Sequence, residues 1–251
     1  MVDYYIEQGA WEQILLFLIE TKGIHTKNEN SLRRFVEGVW YVLRGGCQWR
    51  LLPSCYGHWR AVHRRFKAWS DRGIWEGILV CVSKDYDGES VMIDATVVRA
   101  HPCACGYKRD SQDHEALGRS KGGFTTKIHA VVDALGQALR FTLTPGQHHD
   151  ITQASALLEG FENTNVIADK AYDSDALMDQ LKKQHCTPII PPRSNRKIPR
   201  DYDKHLYKER HLIECFFNKI KHFRRVFSRF DKDVRSFMSF LCFASALIWL
   251  R

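Results

Sequence analysis

Two aspartates sit where aspartate is expensive. Asp94 lies in the middle of VMIDATVVR (residues 91–99), an otherwise apolar and β-branched run, and Asp169 ends the short run NVIAD (residues 165–169). Carboxylates are poor strand formers and costly to bury unpaired. Taken alone, either acid reads as salt-bridged or exposed at an edge. Around a divalent cation the same two become useful, because Mg²⁺ prefers oxygen ligands from one or two carboxylates plus substrate phosphate. A third acid, Glu214, lies in YKERHLIECFFNKIK (residues 207–221). At about 100° per residue with Arg210 as zero, Lys221 falls at about 20°, Glu214 at about 40°, and Tyr207 and Arg225 at about 60°. The apolar residues Leu212, Ile213, Phe216, Phe217, Ile220 and Phe223 occupy roughly 200–340° of the same wheel. A helix over residues 207–227 would therefore bury one side and present Tyr, Arg, Glu and Lys on another. The bland account of Glu214 is an i, i+4 ion pair with Arg210. The functional account is a metal-binding Glu flanked by cations that grip a DNA backbone.

Elements must exist to hold these acids. Residues 125–134 and 138–144 alternate around Gly136-Gln137 and predict a hairpin. Residues 150–161 predict a helix capped by Asp150, residues 174–184 another helix, and residues 187–190 a further strand. This order is that of an α/β (α+β) chain with a mixed sheet and helices packed on it. The first third predicts helices. Ser31 or Asn30 caps one whose apolar positions are Leu32, Phe35, Val36, Val39 and Leu43, and Gly45-Gly46 ends it. A second, through residues 58–69, places Val62, Phe66 and Trp69 on one face and Arg60, Arg64, Arg65 and Lys67 largely elsewhere. Two helices with a glycine-containing connection and a basic outer side fit a helix-turn-helix-like DNA-binding unit. They fit equally well a packed helical bundle with solvated arginines.

Composition narrows the classes. A hydrophobic fraction of 44% and a charged fraction of 26% exclude a disordered chain. The longest apolar stretch, residues 237–250, is short of the roughly 20 residues of a membrane span and reads as a buried core helix. No secretory signal is expected, and the eight irregularly spaced Cys read as reduced thiols. The net charge of +8 is unevenly placed: residues 186–251 carry 15 Lys and Arg against 6 Asp and Glu. Such a concentration attracts a polyanion, with Arg196 and Lys197 at its start. His101, Cys103 and Cys105 lack the paired-Cys spacing of a zinc knuckle. His148 and His149 read as loop residues.

The pattern Tyr207, two residues, Arg210, three residues, Glu214, six residues, Lys221 resembles the signature around the last acid of bacterial insertion-sequence transposases. MIDATVVRAH (92–101) and IADKAYDS (167–174) resemble that group's motifs around the first two acids. GRSKGGFTTKIHAVVD (118–133), LTPGQHHD (143–150) and GGCQWRLLP (45–53) resemble segments of the insertion-sequence-five (insertion-sequence-four-like) family. The match runs over nearly the whole chain. It implies a ribonuclease H-like fold and a DDE transposase in which Asp94, Asp169 and Glu214 hold two Mg²⁺, or Mn²⁺. Only 44 residues separate the last two acids, so a compact version without a large inserted domain is expected. The resemblance also implies a helical DNA-binding and end-recognition domain over residues 1–88. A catalytic domain over residues 89–251 would be closed by the C-terminal helix. The partners would be double-stranded DNA, both terminal inverted repeats and target, and a second copy in a dimer on DNA. Contacts to DNA are expected from Tyr207, Arg210, Lys221, Arg225, Arg196, Lys197, Arg60, Arg64 and Arg65. The setting would be a bacterial cytoplasm, at the nucleoid and away from membranes. Two other readings keep the fold: a non-catalytic DNA-binding descendant of a transposase, and a nuclease that hydrolyses without joining.

Overall fold

In the computed structural model, residues 5–105, 115–120, 123–198 and 200–251 are described; Lys121, Gly122 and the part of the Cys-rich segment from residue 106 onward lie outside them. Contacts divide the chain into two units. One comprises Met1–Lys84, Ala100–Gly106 and Ile220–Arg251, and the other Asp85–Arg99 and Tyr107–Lys219.

The second unit is built on a ribonuclease H-like mixed sheet. Val91, Met92 and Ile93 are fully buried, as a strand covered on both faces requires, and they open β1 (Ser90–Ala100). β2 (Gly118–Ser120) turns back on the start of β3 (Gly123–Asp133), and β3 lies antiparallel to β1 with Asp94 opposite Ala130. β4 (Ala138–Pro145) completes the hairpin. The Asp133 carboxylate fixes the turn by accepting from Leu135 N (3.0 Å) and Gln137 N (2.8 Å), and Gly136 supplies the positive φ of 75°. On the other side of β1, β5 (Asn165–Ile167) and then β6 (Thr187–Ile189) pair in parallel, giving the order β4-β3-β1-β5-β6. α5 (Ile151–Leu157) and α6 (Asp175–Lys183) supply Ala154, Leu157, Leu177 and Leu181 to the cluster that covers Val91, Ile93 and Val131. Side chains alternate along a strand, so Asp94 belongs to the opposite face with Ala130 and Phe141. There α7 (His211–Lys221) stacks Phe216 on Phe141, with ring centroids 6.0 Å apart.

The first unit is helical: α1 (Gln8–Glu20), α2 (Glu29–Gly45), α3 (Trp59–Asp71), α4 (Ile74–Val82), the short α8 (Arg224–Phe227) and α9 (Val234–Trp249). A two-residue strand, β7 (Ser228–Arg229), follows α8. The cap of α2 is Asn28, which accepts from Ser31 N at 2.9 Å, so the helix starts a turn earlier than its apolar positions announce. Gly46 in the left-handed region ends it. α9 is buried at nearly every position from Ser236 to Ile248, and a helix apolar all round needs partners on all sides. It finds them among the aromatic side chains of α3 and α4: Phe240 stacks on Phe66 (4.5 Å) and Phe243 packs tilted against Trp75 (4.9 Å). α9 thus completes the helical unit, where the sequence suggested a lid on the catalytic domain. Among the described residues no helix is long and apolar enough to cross a membrane.

Two further expectations change. Residues 207–227 do not form one helix. A 3₁₀ turn over Leu206–Arg210 leads into α7, and extended backbone at Phe223 separates α7 from α8. Asp203 initiates the tight turn by accepting from the backbone N–H groups of His205 and Leu206. Asp150 precedes α5 but makes no capping bond. Its carboxylate turns to Lys127 Nζ at 2.7 Å.

Candidate active site

The parallel register of β1 and β5 pairs Met92 with Ile167. Two residues further along the chain from this pair stand Asp94, in the middle of β1, and Asp169, just past the end of β5. Asp169 Oδ1 accepts from Ala171 N at 2.7 Å, and Asp94 Oδ1 from Ala95 N at 2.8 Å. α7 brings the third acid. Arg210 Nη1 donates to Asp94 Oδ2 at 2.8 Å, and Arg210 Nη2 donates to Glu214 Oε1. The i, i+4 ion pair read from sequence is therefore present, and the same guanidinium also reaches the first acid.

Burial pushes the Asp94 carboxyl up to about 6, the Asp169 and Asp150 charges add to this, and the Ala95 N–H and Arg210 oppose it. Tyr172 is fully buried, and its hydroxyl has no hydrogen-bond partner among the described residues. Burial and the fields of Asp94, Asp150 and Asp169 raise its pKa well above the usual phenol range. Asp150 is thus a fourth acid in this neighbourhood. Sequence reasoning assigned it to a helix cap, and nothing in its spacing separates the two roles.

A clamp secures the turn after Asp169. The Asp173 side chain is 1% exposed and accepts from Arg193 N (2.8 Å), Arg196 Nε (2.8 Å) and Arg200 Nη1 (2.6 Å). Burial works against its charge, but the Arg196 hydrogen bond and the other donors hold its pKa below the ordinary value. Asp175 receives Arg196 Nη1 at 3.0 Å and also Arg200 Nη2. Arg193 Nη2 donates to Ala171 O at 2.7 Å. The basic run therefore closes over the segment that carries the second acid.

Several cations expected on DNA have other engagements. Arg196 is held by Asp173 and Asp175. Arg225 is 5% exposed, paired with Asp231 (2.8 Å) and donating to Cys47 O (2.9 Å), because it lies beyond the break at Phe223 and turns inward. Arg65 is half-buried over the Phe35 ring at 4.3 Å. Arg60, Arg64 and Lys197 are exposed. Tyr207 packs edge-on against Tyr202 (5.5 Å), and Lys221 is half-buried at the end of α7. His101 Nδ1 and Cys103 Sγ lie 3.1 Å apart.

Among the described residues no three His, Cys, Asp or Glu side chains stand ready to enclose an ion as they lie, the His101–Cys103–Cys105 segment included. The donor chemistry nonetheless suits a hard divalent cation. Asp94, Asp169 and Glu214 offer oxygen alone, and the positive charge now bridging Asp94 and Glu214 is a side chain, Arg210.

Comparison with known proteins agrees with this architecture. Residues 6–79 match the family described as "Putative transposase of IS4/5 family", and residues 86–247 match "Transposase DDE domain". A Brucella ovis protein named "Putative transposase for insertion sequence element IS6501" is 49% identical over 132 residues, 51% of this chain and 99% of its own length. A Sinorhizobium fredii protein, "Uncharacterized protein y4sN", is 38% identical over 105 residues, 41% of this chain and 83% of its own. Of solved structures, a piggyBac transposase synaptic complex with hairpin DNA aligns with a TM-score of 0.41 and 14% identity, over 78% of this chain and 51% of its own, so this chain spans about half its length. A Mos1 mariner paired-end complex with Mn aligns with a TM-score of 0.29 and 13% identity, over 96% of this chain and 97% of its own. With one family covering the helical N-terminal region and the other the acid-bearing sheet, the chain belongs to the DDE transposases of the IS4/5 family.

Proposed function

We propose that this protein cleaves DNA strands at transposon ends and transfers them to target DNA by metal-dependent phosphoryl transfer. The observation that supports the reading is that Arg210 donates to both Asp94 and Glu214, while the charge of Asp169, just past the end of β5, also acts on Asp94. Asp94, Asp169 and Glu214 would hold two Mg²⁺ or Mn²⁺. When bound, such ions stabilise the attacking and leaving oxygens of an in-line displacement. Asp169 arrives with its turn fixed by the Asp173 clamp. Arg210 and Tyr207, in the 3₁₀ turn before α7, would orient backbone phosphate and the terminal nucleotides, with Lys221 at the end of α7. The exposed Arg60, Arg64 and Lys197 would add sequence-independent attraction to duplex DNA. The helical unit would recognise the terminal inverted repeats, and joining two ends calls for a second copy on the DNA.

The test measures strand cleavage and joining on end-containing DNA for the parent, Glu214→Gln and Glu209→Gln. The first substitution keeps side-chain size and removes one ligand charge. It should cost at least about 10²–10³ in rate while DNA binding persists. Glu209 is exposed and is not one of the three acids, so its substitution should leave cleavage largely intact. Cleavage by the parent in excess chelator, or near-parental cleavage by Glu214→Gln, would sink the metal-triad reading. Cleavage without joining would leave a nuclease, and binding without cleavage a DNA-binding descendant.

A further inference from the structure

Four arginines of the basic last quarter are engaged by acids. Arg196 and Arg200 close on Asp173 and Asp175, Arg210 bridges two acids, and Arg225 pairs with Asp231. A groove of about 770 Å³ within the helical unit, lined by Arg44, Lys221, His222, Arg224, Phe227 and Phe230, also gathers positive charge. Its lining residues include no acid. Arg224 is exposed and has no acidic partner among the described residues. Arg44 is aimed by its surroundings: Nη1 donates to His222 O at 3.1 Å, and the guanidinium lies over the Phe223 ring at 5.4 Å. Neither contact neutralises it.

The groove has a shaped floor. Gly46 has φ 65°, and a Cβ there would stand 2.8 Å from Arg224 Cβ, so the glycine admits the close approach of α8 to the end of α2. α8 places Arg224 and Phe227 three residues apart, hence on one face. Phe227 is 64% exposed. A single exposed ring is ordinary, but a ring bared in the same concavity as two arginines suits an unpaired base: cations follow the phosphates and the aromatic face stacks. A base inside a duplex is already stacked on both sides and gains little from such a ring.

We propose that this groove binds an unpaired stretch of DNA, with phosphates against Arg44 and Arg224 and one base stacked on Phe227. The inference rests on the DNA-processing reading above, and names where a strand opened from the duplex is held.

The test uses the full chain in chelator, so that no cleavage intervenes, and labelled single-stranded and duplex oligonucleotides of the same sequence. Phe227→Ala, at an exposed position, should fold as the parent does by circular dichroism. It should weaken single-strand binding by about tenfold while changing duplex binding by less than about twofold. Arg224→Gln should weaken single-strand binding and lower its salt slope by roughly one ion. Equal loss on both DNAs, or no loss on the single strand, overturns the proposal. So does a Phe227→Ala variant that becomes monomeric while its single-strand affinity stands, since the face would then join two copies. A parent that cleaves end DNA but ignores Phe227→Ala refutes the groove alone. A groove that behaves as described in a protein that never cleaves refutes the catalytic reading alone.

Discussion

Arg210 stands where positive charge is wanted, so any divalent cation that engages both Asp94 and Glu214 must compete with it. The size of that competition can be bounded. The Asp94 and Arg210 side chains are 18% and 23% exposed, and their contact at 2.8 Å is a charge-assisted hydrogen bond. Unit charges about 4 Å apart at an effective dielectric near 20 attract by about 4 kcal/mol, and desolvation cancels much of it, leaving about 1.5–3 kcal/mol. The Glu214 side chain is 53% exposed, so screening limits its share to at most about 1 kcal/mol. Replacing Arg210 with Gln should therefore tighten Mn²⁺ binding to the DNA-free protein by roughly 10–100-fold, about 1.4–2.7 kcal/mol. The assay is a Mn²⁺ titration followed by the paramagnetic resonance of the free ion, with Glu214→Gln alongside as the variant that should bind more weakly. Strand cleavage by Arg210→Gln should fall even so, because the same guanidinium is assigned to backbone phosphate. Unchanged or weaker Mn²⁺ binding by a folded Arg210→Gln protein would refute the competition argument.

Two further perturbations probe the surrounding frame. Asp173→Asn leaves Arg196 and Arg200 without a buried anion and turns an amide toward donors. Both arginines keep 20–29% exposure and can recover water, so the loss should sit at about 2–3 kcal/mol, read as a lowered urea midpoint. A shift under about 0.5 kcal/mol would mean that the clamp carries no weight. His129 is fully buried with Nε2 2.8 Å from Thr144 Oγ1, and burial lowers its pKa from 6.5 to about 4. The unfolded chain then binds the extra proton first, so this contribution to stability is complete above pH 6.5 and is lost as pH falls toward 4, up to about 3 kcal/mol. His129→Gln should flatten the pH dependence of unfolding over that window, and an unaltered slope would show the imidazole to be irrelevant to it.

Much of the fold is legible in the sequence, and the candidate acids stand out there, because the strongest signals are local. A carboxylate inside VMIDATVVR is anomalous wherever the strand lies, and the hairpin announces itself through alternation and Gly136. What escapes is set by partners far along the chain. The wheel drawn from Arg210 pairs it with Glu214 but cannot contain Asp94, 116 residues away. Asp150 has the position of a helix cap, and only Lys127 on a neighbouring strand turns it elsewhere. A count of charges registers Arg196, Arg200 and Arg225 as available, since nothing local distinguishes an arginine facing water from one closed on Asp173 or Asp231. The α7–α8 break follows from extended backbone at a buried Phe223, which no propensity at that residue foretells.

The return of α9 to the helical unit has a consequence for synthesis. Trp75 and Phe66 leave the ribosome long before Phe243 and Phe240, the rings they pack against. The sequence between each pair exceeds 160 residues. At about 5–20 residues per second, the first-made helices wait on the order of 10–30 s for their last wall, with aromatic surface bare to chaperones or to other nascent chains. The acid-bearing sheet closes in the meantime. A reading frame stopped just after Glu214 would retain all three acids while stranding the N-terminal helices without α9, so such a copy should be found aggregated and not merely inactive.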